Sequence, residues 1–197
     1  MSARGEECMA SCKWLKWALL ALAVFALSSC VPPGPTEAEQ RMFQVRLLPV
    51  DFPIGWKDQN DVVEDIEGAL AARTWAFVSR ASTPSLHIGA AHMTIVFPST
   101  EVAANAYPNL AAKWFPNAKW IAPQQLSYVG SSADRFKLAC LPSEINGITA
   151  SSCRAIGQYG DLMSIFIANV YEDRWFTWTD LEQVLQVIDE RMAAQMR

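Results

Sequence analysis

"DRFKLACLPSEINGITASSCRAIGQYGDLMSIFIANV", residues 134–170, decides how this chain of 197 residues folds. Apolar and polar residues alternate through 134–141, the period of a half-buried strand. Two comparable runs follow at 152–159 and 162–171, joined by the tight turn Tyr159-Gly160-Asp161. Between the first two runs lies LPSEINGITASS, whose Pro142, Asn146 and Gly147 are turn formers, so it reads as a loop. Three consecutive strands with local connections predict an antiparallel meander. Cys140 and Cys153 stand at the two ends of the loop, where a disulfide would staple the neck of the first hairpin. Closing a loop of roughly 14 residues contributes about 3 kcal/mol by loop entropy. A metal or redox pair is the alternative for these thiols, but it would need a CxxC spacing or a neighbouring histidine that this stretch lacks.

Working outward, ALAARTWAFVSR (69–80) and LHIGAAHMTIVF (86–97) read as strands paired around the turn ASTPS. Ser99 or Thr100 can cap a helix running to about Phe115, with Val102, Ala106, Leu110 and Trp114 recurring every fourth residue. Pro108 falls inside this helix and is expected to kink or split it. WIAPQQLSYV (120–129) is an irregular extended piece. Residues 37–48 suit a short helix ended by Pro49, and 50–61 an ordered loop that packs Phe52, Ile54 and Trp56 onto the domain. At the C-terminal end, 179–195 form a helix with a Thr179/Glu182 capping box. Its buried stripe is Leu181, Val184, Leu185, Ile188 and Met192, leaving Glu182, Asp189, Glu190 and Arg191 outside. The expected class is α+β: an antiparallel sheet of about five strands covered by two main helices, with one disulfide-stapled hairpin.

Hydrophobic residues make up 51% of the chain, enough for a packed core, and the formal net charge is −4. An acidic balance lacks the basic footprint of a phosphate-binding surface, so nucleic acid is not an expected partner.

The N-terminal region sets the compartment. Lys13 and Lys16 precede an apolar run, Trp17–Leu27, and two serines and Cys30 follow it. That run is about 17 Å long as a helix, against a hydrocarbon core of about 30 Å, so it reads as a signal peptide rather than a span. Met9 is a second possible start, because it omits Glu6 and Glu7 from the positive region. Leu27-Ser28-Ser29-Cys30 resembles the lipobox of bacterial lipoproteins. That resemblance implies cleavage before Cys30, lipid on its thiol and acylation of its new amino group. An ordinary secretory peptide is the alternative. The implied organisation is a lipoprotein signal peptide over 1–29, a Pro-rich tether over 30–40 and one α+β extracytoplasmic domain over 41–197. The partner of Cys30 is then the cell membrane or outer membrane. Cys8 and Cys12 leave with the signal peptide, so Cys140 and Cys153 remain as a pair in an oxidising compartment.

The rest of the chain offers little chemistry. GxSxG, HExxH, P-loop and GxGxxG motifs are absent from the sequence. His87 and His92 lie five apart on an expected strand and so point to opposite faces. Asp58, Asp61, Glu64, Asp65 and Glu67 read as a solvated turn without the glycine spacing of a calcium loop. Ser131 and Ser132 read as turn residues without a local base. No catalytic residue, cofactor site or metal site is therefore assigned. Tryptophan is the one enrichment. Trp75 and Trp114 fall on core faces. Trp56, Trp120, Trp175 and Trp178 lie in or beside loops, where they either plug the ends of the sheet or face a ligand.

The order of elements, with LLPVDFPIGW at 47–56 and IDERM at 188–192, resembles small extracytoplasmic sensor and lipoprotein domains of bacteria. These include the extracellular domains of some serine/threonine kinases and PsbP-like lipoproteins. The resemblance implies a non-enzymatic domain that binds a small molecule or a protein. Two alternatives remain: an envelope hydrolase using His92 with Asp51 or Asp134, and a carrier holding an apolar ligand between sheet and kinked helix.

Overall fold

The computed structural model describes residues 34–196; the expected signal peptide over 1–29, Cys30 and both candidate start sites lie outside them. The architecture is α+β. Six strands form one antiparallel sheet in the order β1-β2-β3-β6-β5-β4: Trp56–Val63, Ala71–Ser79 and Gly89–Val96, then Leu162–Val170, Ile148–Tyr159 and Arg135–Ile145. Two three-stranded meanders are thus joined through the β3–β6 ladder, with His92 opposite Phe166.

The sixth strand is β1, where the sequence suggests only a loop. WKDQNDVV gives no burial alternation because every residue after Trp56 is exposed or nearly so. Its acidic residues lie along the sheet edge instead of in a turn. Arg46 pairs with Asp58 at 2.5 Å, Arg73 pairs with Asp61, and Glu64 accepts from Thr74 Oγ1 at 2.8 Å. Phe52 and Trp56 pack down as expected, but Ile54 is fully exposed.

The stapled hairpin is also longer than its polar sequence implies. Strands β4 and β5 continue to Ile145 and Ile148 and turn through Asn146 and Gly147 alone, at φ 52° and 76°. Positive φ at both central residues marks the Asn-Gly hairpin turn. Pro142 is tolerated because β4 is an edge strand. The disulfide Cys140–Cys153 therefore joins two directly opposed residues, 4.1 Å apart at Cα, rather than closing the neck of a loop.

Three helices cover the sheet. Helix α1, Glu37–Val45, begins inside the stretch read as tether, with Thr36 and Glu39 forming a capping box. It and α3, Trp178–Ala193, lie over the face carrying Trp75, His92 and Phe166. Arg41 of α1 makes a two-pronged ion pair with Asp161 in the β5–β6 turn at 2.6 and 2.8 Å. Helix α2, Thr100–Trp114, covers the opposite face and is continuous through Pro108. Its Ser99 cap bonds the Val102 amide at 3.3 Å. The capping box of α3 is Thr177/Asp180, two residues before the predicted one, and the expected apolar stripe is buried. No helix among the described residues is long and apolar enough to cross a membrane.

Candidate binding groove at the sheet edge

The four loop tryptophans do not gather in one place. Trp56 is buried, stacked on Phe52 at 4.9 Å and close to Phe176 at 5.4 Å, so it fills the core. Trp178 starts α3 and packs half-buried against the same core. Trp175, at φ 59°, meets Tyr171 edge-on at 4.9 Å near a 420 Å³ cleft under the tip of the β4–β5 hairpin. Only Trp120 lines the larger groove, of 550 Å³, which runs between β4 and the segment 120–129.

That groove is built from the backbone upward. Ile121 and Cys140 exchange both backbone hydrogen bonds, at 3.1 and 2.8 Å. The N–H and C=O of Cys140 therefore point away from β5, and by strand alternation so do those of Leu138 and Phe136. Continuing this pairing would set Pro123 against Leu138. Proline has no N–H to donate, so the ladder stops after one pair and the chain leaves the sheet. The groove is the space opened there. Phe136 and Leu138 line it from the α3 side of the sheet, and Lys137 and Ala139 from the α2 side. Leu126 and Tyr128 form the opposite wall.

The opposite wall is held in place by α3. Tyr128 donates its hydroxyl to the Leu185 carbonyl at 3.0 Å, and burial raises its pKa above the ordinary phenol value. Asp189, expected outside, is only 5% exposed. It accepts from Ser131 Oγ at 2.8 Å and from the Ser132 amide at 3.2 Å. Ser131 and Ser132 thus have a partner 57 or more residues away, which no local reading could supply. Gly130 lets the segment pass over Phe136, since a Cβ there would sit 2.9 Å from the ring.

Trp120 is oriented by charge. The Arg154 guanidinium lies 4.2 Å from its ring centroid and 5.5 Å from that of Trp114, and donates to the Trp114 carbonyl at 2.5 Å. Lys137 lies over Phe115 at 4.4 Å. Between residues 113 and 141 the chain carries Lys113, Lys119, Arg135 and Lys137 against Asp134 alone, a basic segment in an acidic protein.

The histidines lie elsewhere. His87 is exposed and His92 is completely buried, with Nε2 3.0 Å from Ser164 Oγ. Neither acid suggested for a hydrolytic pair is bonded to His92. Asp51 binds Arg191 at 2.8 Å, and Asp134 accepts from the Gly160 amide at 2.7 Å. The interface between the sheet and α2 is packed by Met93, Ile95, Ala103, Phe115, Ile156 and Met163.

The fold is defined at this point as two antiparallel meanders sharing one sheet, with helices on both faces. The same fold is found in the crystal structure of the extracellular domain of PknH from Mycobacterium tuberculosis. The two align with a TM-score of 0.59 at 11% identity, over 83% of this chain and all of that one. No protein family matches the sequence, and no curated protein is significantly similar to it.

Proposed function

We propose that the chain is a lipid-anchored, extracytoplasmic, non-catalytic binding domain of the bacterial cell envelope, with the groove beside β4 as its ligand site. The groove carries the binding half of this reading. It combines a half-exposed Trp120, apolar walls and the exposed Lys137 at a place where the sheet edge is left open. Sharing a fold with the extracellular domain of PknH supports a place outside the cytoplasm. The disulfide fits an oxidising compartment.

The anchoring half rests on Leu27-Ser28-Ser29-Cys30 behind a short apolar segment. Two or more acyl chains on Cys30 hold a protein on a membrane where one would bind only reversibly. Cell fractionation of Cys30→Ser tests it. The variant is expected in the soluble envelope fraction or as an unprocessed precursor. A variant that stays with the membrane at its mature size would refute the anchor.

A further inference from the structure

We infer that the β4 edge at Phe136 and Leu138 is a strand-addition site for an extended segment of a partner protein whose residues alternate between acidic and apolar. This deepens the reading of the groove as a ligand site and rests on it. The backbone supplies the binding frame. Two successive outward-facing residues present both N–H and C=O at the edge, and no hydrogen bond from the described residues reaches them. An incoming strand can make the bonds that Pro123 cannot. Main-chain pairing of this kind provides affinity, and alternate side chains provide specificity.

The pleat sets that specificity. Phe136 and Leu138 point to the α3 side, between Leu126, Tyr128 and the core, so the segment's apolar residues belong there. Lys137 and Arg135 point to the α2 side and are exposed, so acidic residues belong opposite them. Lys137 lines the groove itself, while Arg135 is held towards α2 by its 2.9 Å bond to the Ala104 carbonyl, so Lys137 sets the choice. A second copy pairing antiparallel through Phe136 and Leu138 would set Lys137 against its own counterpart, a like-charge arrangement that destabilises pairing.

The test uses the full-length protein in detergent micelles and two synthetic hexapeptides, one alternating Glu and Val, the other Lys and Val. Amide hydrogen exchange is read by NMR. Without peptide, the Phe136 and Leu138 amides exchange freely while those of Lys137 and Ala139, bonded to β5, are protected. The Glu/Val peptide is expected to protect Phe136 and Leu138, and the Lys/Val peptide is not. Lys137→Glu should weaken the Glu/Val peptide about tenfold and reverse the preference, a surface change that leaves the fold intact. Leu138→Pro removes an N–H that β5 does not use and should weaken binding by a similar factor of about ten. Protection by both peptides alike, or by neither, overturns the inference. Peptide-induced shifts at Trp120, Leu126 and Tyr128 without protection of Phe136 and Leu138 would keep the groove as the ligand site and overturn strand addition. No change at either set would overturn both. Protection of the edge without peptide, accompanied by dimerisation, would assign the edge to a second copy and overturn the partner segment.

Discussion

Lowering the pH from 7 to 5 singles out His92. Its ring is fully buried between Trp75, centred 6.2 Å away, and the opposed Phe166. Nε2 meets Ser164, while Nδ1 has no hydrogen-bond partner among the described residues. Burial, helped by the positive charge of Arg191, pulls the pKa from 6.5 down to about 3. A proton on Nδ1 would create a buried cation with an unsatisfied donor. The unfolded chain accepts that proton near pH 6.5 and the folded chain does not, so the contribution to stability is intact above 6.5. It is lost progressively as the pH falls towards 3. At pH 5 the unfolded state has gained about 2 kcal/mol from this one group. That is a large share of a net stability of roughly 5–15 kcal/mol. Urea unfolding at the two pH values, followed by tryptophan fluorescence, measures it in wild type and in His92→Leu. At pH 7 the variant leaves the Ser164 hydroxyl unpaired, at about 1 kcal/mol, but removes the orphaned Nδ1. Carboxylates titrate alike in both proteins. Wild type should therefore lose about 2 kcal/mol more than the variant between pH 7 and pH 5. Equal losses would show that the imidazole is not held neutral by burial, and the reasoning would fail.

Two further outcomes follow from the packing around the groove. Replacing both Cys140 and Cys153 by Ser should lower stability by up to about 3 kcal/mol, read as a lower urea midpoint with an m-value equal to or somewhat above that of wild type. No shift would mean that the Asn146-Gly147 turn and the β4–β5 ladder already restrict the unfolded hairpin. Asp189→Ala removes the buried acceptor of the Ser131 hydroxyl and the Ser132 amide and should cost about 1–2 kcal/mol, since the exposed Ser131 can turn to water. Amide exchange should then quicken through residues 127–132 while α3 stays protected, and unchanged exchange there would show that Asp189 does not hold the groove wall.

The parts of the fold legible in the sequence are those with at least one covered face. Strands β2, β3, β5 and β6 and the stripe of α3 have this property, β3 and β6 being buried on both faces, and their patterns carry through to the structure. Strand β1 does not. It lies at an edge with neither face covered past Trp56, so its sequence follows solvent exposure rather than the pleat. The same applies to the outer half of the β4–β5 hairpin, where Pro142, Ser143 and Glu144 looked like loop. Asn146-Gly147 was the available signal, since that pair at the centre of a run implies strands on both sides. Asp189 was unreadable for a different reason. Helical periodicity places it beside the apolar stripe, and its burial comes from Ser131 and Ser132, which are brought over it by chain far away in sequence.

The site follows from how differently the two sheet edges are treated. An edge strand exposes unpaired backbone, and proteins guard against unwanted pairing with bulges, charges and prolines. β1 has a register shift between Asp58 and Asn60, two ion pairs with Arg46 and Arg73, and almost complete exposure. β4 is covered for a single residue pair, Ile121 with Cys140, and then left open. Pro123, a residue type that elsewhere protects an edge by refusing to pair, here has the reverse effect. It sits on the covering segment instead of on the edge, so its missing N–H uncovers Leu138 and Phe136. With β1 guarded, a strand added at β4 cannot propagate into a chain of copies joined β1 to β4. Addition at this edge stops after one strand, which is what a binding site for a partner segment requires and what an aggregating edge would not provide.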